Sequence, residues 1–318
     1  MADGPTVGDL GEFGLIAAVV ARFRVTPDVL LGPGDDAAVV AAPDGRVVAS
    51  TDLLVEGRHF RRDWSSAREI GRKAAAQNLA DLVAMGARPT ALLVGLGAPP
   101  DLPADWATGF ADGLAEECAL VGATVVGGDV VRSDAVVVAV TALGDLEGRA
   151  PVTRSGARPG DVVALAGRLG WAAAGLAVLG RGFRSPRVLA DAHRVPVPPY
   201  AAGRAAAEGG ATAMIDVSDG LVQDAGHLAD ASGAVLALST ASLVVDGPVG
   251  EAAAAFNVDP LGWVLTGGDD HALLATFPPG TPLPEGFVAV GEVRAGDPAV
   301  LVDDEPHAAP GGHDHFRP

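Results

Sequence analysis

Aspartates recur along this chain in settings that suit oxygen-ligand chemistry. Asp35 and Asp36 follow a Gly-Pro-Gly turn and precede an apolar run, and Ser50, Thr51 and Asp52 close the next apolar run. Asp129 follows Gly127-Gly128, Asp216 and Asp219 bracket Ser218 in "DVSDGL", and Asp269 and Asp270 stand in "LTGGDD". Asp81 lies three residues after Asn78, which puts both on one face of a helix. Aspartate is disfavoured inside strands and favoured in turns, so most of these corners read as the ends of strand-like segments. Clustered carboxylates without cysteine partners suit a hard cation such as Mg2+ better than zinc. The histidines are scattered and show no HExxH spacing. Each corner also has a plain structural reading. Gly34-Asp35-Asp36 reads equally as a solvated turn, Gly127-Gly128-Asp129 as a tight turn, and Arg154 as a solvated arginine. Ser218 or Asp219 would serve as the N-cap of a helix near Gly220, and Asn78 with Asp81 would form a solvated helix face. Recurrence at the ends of strands points to one shared site, because open sheets place ligands beyond their strand ends.

The elements that must position these residues follow from periodicity and turn chemistry. The pattern predicts helices over 12–23, 67–85, 104–120, 171–179, 201–208 and 221–231. It predicts strands over 37–42, 46–51, 90–97, 124–126, 135–143, 161–166, 213–216, 235–238, 271–277, 288–293 and 299–302. Pro43-Asp44-Gly45 reads as the turn of a hairpin joining 37–42 to 46–51, which would bring the first two acidic corners together. The strand at 124–126 would end at Gly127-Gly128-Asp129, and the proline-punctuated stretch 181–200 reads as irregular. Strands and helices mix without long parallel alternation, so the expected fold class is α/β of the α+β kind, with mixed sheets and flanking helices. Glycine, proline and arginine concentrate between Gly148 and Asp161, placing a boundary between domains 1–148 and 149–318.

Composition narrows the function. The chain has 318 residues, 49% of them apolar and only 4% aromatic, so its core should consist of small, closely packed side chains. A net charge of −18, with Lys73 the sole lysine, argues against a nucleic-acid-binding surface. An acidic protein that binds phosphates needs local arginines or bound cations, and these loops favour cations. Cys118 is the single cysteine, lies in an amphipathic helix, and reads as a buried thiol. The acidic N-terminus lacks a basic signal-peptide start, and no apolar run approaches the ~18 residues of a membrane span, so a soluble, cytoplasmic protein is expected. GxxxxGK[ST], a protein-kinase motif set and a convincing GxGxxG fingerprint are all missing. "GRLGWAAAGL" is a weak phosphate cradle.

A set of ordered segments carries a resemblance. "GDDAAVV", "STDLLVEGRHF", "NLADLVAMGARP", "GGDVVR", "TRSGARPGD", "DVSDGL", "GGDDHALLATF" and "GHDHF" together resemble the thiamine-monophosphate kinases of the aminoimidazole ribonucleotide synthetase-like superfamily, from about Glu12 to Phe316. The resemblance implies the two-domain fold of that superfamily. Its N-terminal domain would bind ATP and metal and dimerise through its strands, and the active site would lie between the domains. It implies phosphoryl transfer from ATP to thiamine monophosphate, giving thiamine diphosphate, with several Mg2+ ions and a homodimer. By motif, Asp35, Asp36, Ser50, Thr51, Asp52, Asp81, Asp129, Asp216 and Asp219 would hold metal. Asp36, Asp52, Asp81, Asp129 and Asp216 would be the catalytic set. Gly128, Asp129, Arg154 and Ser218 would lie against ATP, and His59, Asp269 and His313 against thiamine monophosphate. Asp269 stands where relatives often carry glutamate, and His271 and His313 stand where aromatic residues are common. Other ATP-dependent members of the superfamily, or a non-catalytic nucleotide or thiamine-phosphate sensor, are the competing readings.

Overall fold

The structure is a computed structural model that describes residues 4–33, 37–307 and 312. The chain divides into two compact units: Met1–Leu82 with Ala87–Arg149, and Val83–Gly86 with Ala150–Pro318. Both units mix strands and helices in α/β fashion.

In the first unit, helix α1 (Val7–Val20) begins at a capping box. Asp9 N–H donates to Thr6 Oγ1 (3.2 Å) and Thr6 N–H to Asp9 Oδ2 (2.9 Å). The backbone is non-helical at Gly11 (φ 64°, ψ 177°), so the helix expected from residue 12 follows a short capped turn that precedes this kink. Two short strands, β1 (Val29–Leu31) and β2 (Val39–Val40), pair antiparallel. Next come β3 (Val48–Val55), α2 (Ala67–Ala84), β4 (Arg88–Ala98), α3 (Ala104–Val121), β5 (Thr124–Arg132) and β6 (Val137–Asp145). They build a four-stranded sheet in the order β3-β6-β4-β5, with β4 and β5 parallel.

The hairpin expected across Pro43-Asp44-Gly45 does not form. The turn is present, with Gly45 N–H donating to Ala42 O and Arg46 N–H to Asp44 Oδ1, but its two arms join different sheets. β3 pairs along its whole length with β6, where Val138, Val140 and Ala142 are fully buried, whereas β2 is two residues long and pairs with β1. Eight paired residues, those on one face covered, outweigh a local turn. The strand expected to stop at Val126 also continues, through Gly127, Gly128 and Asp129 to Arg132. A Cβ on Gly128 would overlap the Val94 carbonyl, so glycine lets the parallel neighbour approach closely enough for pairing to continue.

The small-residue core follows composition. A Cβ on Gly71 of α2 would overlap Phe110 O of α3, and one on Gly113 of α3 would overlap Arg68 O, so these helices touch backbone to backbone. Cys118 is buried in α3, and burial pushes its thiol up to about 12.

The second unit contains β7 (Val162–Ala166), α4 (Trp171–Gly180), α5 (Arg187–Arg194), α6 (Tyr200–Glu208), β8 (Ala213–Val217), α7 (Leu221–Ser232), β9 (Val235–Leu238), α8 (Gly247–Phe256), α9 (Pro260–Thr266), β10 (Ala272–Phe277), β11 (Phe287–Arg294), β12 (Ala299–Val302) and β13 (Glu305–Pro306). Its seven-stranded mixed sheet has the order β13-β12-β9-β11-β7-β10-β8. Every residue of β10 is buried. One apolar cluster sets Ile215, Val217 and Leu274 with Leu221, Leu228 and Val264, and another sets Met214, Leu273 and Phe277 with Ala202 and Ala206. The sheet therefore has a core on each face. Residues 181–200 are not wholly irregular: α5 occupies 187–194 and buries Leu189, Ala190, Ala192 and His193. Its prolines lie outside the helix, with Pro186 at the N-cap and Pro196 beyond the end, where a missing N–H costs nothing. Helices α8 and α9, unread in the sequence, each carry proline in the first turn.

Among the described residues, no helix is long and apolar enough to cross a membrane.

Candidate active site

In the first unit the site is built on β3 and the C-terminal half of α2. Strand alternation places Ser50, Asp52 and Leu54 beside Ala142, Val140 and Val138 on the covered face. Helix α2 lies over that face. Ser50 Oγ donates to Asp81 Oδ2 (2.6 Å), Asn78 Oδ1 accepts from Asp52 N–H (3.1 Å), and Gln77 Nε2 donates to Asp52 Oδ2 (3.3 Å). Asn78 is fully buried rather than solvated, and its amide also donates to Ala74 O. The i, i+3 spacing of Asn78 and Asp81 thus docks the helix onto β3.

Thr51 lies on the opposite face, where its hydroxyl donates to Val140 O (2.9 Å) and accepts from Thr141 Oγ1 (3.1 Å). Asp129 shares that face: it is opposite Gly95, which is opposite Ala139, which is opposite Leu53. The expected metal set of this unit is therefore divided, with Ser50, Asp52 and Asp81 together and Thr51 and Asp129 across the sheet. A period of two imposes this on any three consecutive strand residues. His59 follows β3 and accepts from Val55 N–H through Nδ1 (2.9 Å), so the neutral ring carries its proton on Nε2. Asp35 and Asp36 lie outside the described residues, as does His313.

In the second unit the loop 267–271 lies along the end of β8. Asp269 N–H donates to Ser218 O (2.7 Å) and His271 N–H to Val217 O (2.9 Å). Both donors have left-handed backbones, with φ 72° at Asp269 and 54° at His271. The loop brings Asp269, His271 and Asp216 together. His271 Nδ1 lies 3.0 Å from Asp216 Oδ2, with both side chains buried, and His271 Nε2 lies 3.9 Å from Asp269 Oδ1. His193 of α5 approaches Asp269 Oδ2 at 3.9 Å from its other side.

Neither Ser218 nor Asp219 caps α7: the helix starts after Gly220 without a side-chain cap. Instead the buried Asp224 Oδ2 accepts from Asp219 N–H (3.0 Å) and Gly220 N–H (3.1 Å), holding the loop from inside the helix. Burial, reinforced by the charge of Asp216, pushes the Asp224 carboxyl up to about 7. Asp270 is also buried and accepts from Ala172 N–H at the start of α4 (2.8 Å). Burial raises its carboxyl to about 7, against the opposing pull of the Ala172 and Gly170 amides and of Arg168. Arg154 is exposed, and its carbonyl accepts from Ser232 Oγ. Gln77, Asp224 and His271 are members of these clusters that motif spacing did not assign to a site. The legible signal for Asp224 was a carboxylate inside an apolar helical pattern.

Among the described residues, no group of three or more Asp, Glu, His or Cys side chains is placed to hold a metal ion. What the clusters offer is hydroxyl and carboxylate oxygen in one unit and buried carboxylates paired with imidazole in the other.

Residues 34–146 match the family model of AIR synthase related protein, N-terminal domain, so this part of the chain is AIR synthase-like. The thiamine-monophosphate kinase of Mycobacterium tuberculosis (strain CDC 1551 / Oshkosh) is 53% identical over 304 residues, covering 95% of this chain and 91% of that one. That of Corynebacterium glutamicum is 42% identical over 302 residues, covering 92% and 89%. A solved structure, AaThiL complexed with AMPPCP and TMP, is 32% identical, covers 96% of this chain and 97% of that one, and superposes with a TM-score of 0.81. The chain belongs to the thiamine-monophosphate kinase family, and it is accordingly a kinase.

Proposed function

We propose that this chain transfers the γ-phosphoryl group of ATP directly to the phosphate of thiamine monophosphate, giving thiamine diphosphate and ADP. The observation that carries the reading is the likeness along 96% of the chain to a kinase structure complexed with AMPPCP and TMP. The Ser50–Asp81 and Asn78–Asp52 contacts add local support, since they hold the residues of two of the quoted motifs together.

The acceptor suits a site without a strong general base. A phosphate monoester has its second pKa near ~6, so its attacking oxygen is already ionised at neutral pH. The obstacle is repulsion between two anions. The first-unit donors Ser50, Asp52 and Asp81 are oxygen-only, which fits Mg2+. Those three, with Asp35, Asp36, Thr51, Asp129, Asp216 and Asp219, are the residues we propose to hold the ions. Bound Mg2+ would supply charge neutralisation and alignment of the phosphates for in-line transfer. Gly128, Asp129, Arg154 and Ser218 are proposed to contact ATP. His59, whose ring is oriented by Val55 N–H, is proposed with Asp269 and His313 to contact thiamine monophosphate.

We also propose a cytoplasmic homodimer formed through the open face of the four-stranded sheet, which also carries Thr51 and Asp129, so the second copy would border the metal and ATP contacts proposed for them. Leu53 (55% exposed), Leu93 (38%) and Val131 (54%) present apolar side chains there, as expected of a surface that another copy covers.

Purified protein incubated with Mg2+, ATP and thiamine monophosphate tests the reaction. Thiamine diphosphate and ADP should appear in equal amounts, and ATP chirally labelled at the γ-phosphorus should react with inversion. ADP release without thiamine diphosphate would refute the acceptor, and net retention would refute direct transfer.

A further inference from the structure

The histidine at 271 lies between two carboxylates that belong to different motifs. Asp216 is the penultimate residue of β8, in "DVSDGL", and Asp269 lies in "GGDD", 53 residues later in the chain by their numbering. Two features locate the ring. His271 N–H donates to Val217 O, and its backbone is left-handed at φ 54°, a conformation a non-glycine residue adopts at a cost. The side chain so placed has Nδ1 3.0 Å from Asp216 Oδ2 and Nε2 3.9 Å from Asp269 Oδ1. An ionised carboxylate is acceptor-only, so Nδ1 is the donor in the first contact. The second distance is an electrostatic approach, longer than a direct hydrogen bond. His193 is 3.9 Å from the other oxygen of Asp269. Asp216 and His271 are each about 95% buried, where the orientation of a carboxylate is set by the group that donates to it.

We infer that His271 is a positioning residue of the transfer reaction, because its Nδ1–H sets the Asp216 carboxylate while the same ring backs Asp269. The inference rests on the proposed function, in which Asp216 serves the nucleotide and cation side and Asp269 the acceptor side. One imidazole then ties the two halves of the second unit's site together. Replacing the ring with a residue that cannot donate releases Asp216 without touching either carboxylate.

Two substitutions separate this role from ordinary packing. His271→Leu removes both nitrogens. His271→Asn places an amide donor where Nδ1 was and tolerates a left-handed backbone. Calorimetric affinity for Mg·ADP, kcat, KM for each substrate and the melting temperature are measured for both variants and the parent. His271→Leu should weaken Mg·ADP binding and lower kcat by about tenfold each, the scale expected for losing a hydrogen bond to a charged group. His271→Asn should return both to within about threefold of the parent, whatever its melting temperature. Parent-like affinity and kcat in His271→Leu would overturn the assignment, and so would an equal loss in His271→Asn. If the parent makes no thiamine diphosphate, the proposed reaction falls, and the Mg·ADP titrations alone then decide the role of His271.

Discussion

Removing the charge of Asp270 should reshape how stability depends on pH. The carboxyl is buried, its Oδ1 accepts from Ala172 N–H, and its Oδ2 has no hydrogen-bond partner. Burial moves it from 3.8 to about 7. At about 1.36 kcal/mol per pH unit, that difference makes the ionised form about 4 kcal/mol less compatible with the fold than the neutral one. The sign follows from proton counting. Between the unfolded value and about 7 the folded chain binds more protons, so stability is fully present below about pH 4, declines as pH rises through 7, and levels off above it. Between about pH 5 and pH 8.5 the change is about 3 kcal/mol, or roughly 5–10 °C in melting temperature for a unit of this size. Asp270→Asn keeps the acceptor for Ala172 N–H and exchanges Oδ2 for an amide that bears the same unpaired cost at every pH. Melting the parent and the variant across this range should therefore show the parent losing ground steadily as pH rises. The subtraction cancels the similar contribution of Asp224, which both proteins retain. Parallel curves would refute the reasoning, because they would mean that Asp270 is either solvated or already neutral throughout.

Three further outcomes are expected. Asp81→Asn preserves an acceptor for the Ser50 hydroxyl, so the melting temperature should hold while kcat falls about 10–100-fold; unchanged turnover would remove Asp81 from the site. Cys118, buried and with its thiol raised to about 12, should resist iodoacetamide near pH 8 until the chain is denatured, and mass spectrometry of the native protein showing alkylation would contradict that burial. Leu53→Asp should reduce the mass seen by sedimentation equilibrium to that of one chain at little cost to folding, since the parent side chain is half exposed; an unchanged dimer would place the interface elsewhere.

Much of the architecture was legible because it is local. The 67–85 pattern became α2 over Ala67–Ala84, and the strand and helix sequence from Val162 to Ser232 appeared close to the expected bounds except within 181–200. The quoted oxygen-rich motifs at loops and strand ends carried the family resemblance. What failed was non-local. Pro43-Asp44-Gly45 makes its turn as its residues dictate, yet whether a turn becomes a hairpin depends on competing partners, and β6 lies some 90 residues away in sequence. Helix α5 was hidden by prolines that flank it, since a proline marks a boundary without saying on which side the helix lies.

The candidate site divides along the same line. Sequence alone determined which side chains carry oxygen and that the core must be small-residued; it ended the strand at residue 51, whereas β3 runs on to Val55 and takes in Asp52. Only the tertiary structure decided that Thr51 turns away from its neighbours, because alternate strand residues face opposite sides of a sheet and α2 covers just one of them. Only the tertiary structure, too, made Asp224 the anchor of the 218–220 loop and set His271 between Asp216 and Asp269. Those roles arise from burial and from backbone groups brought together by the pairing of β8 with β10, and neither is a property of a residue's own neighbours in sequence.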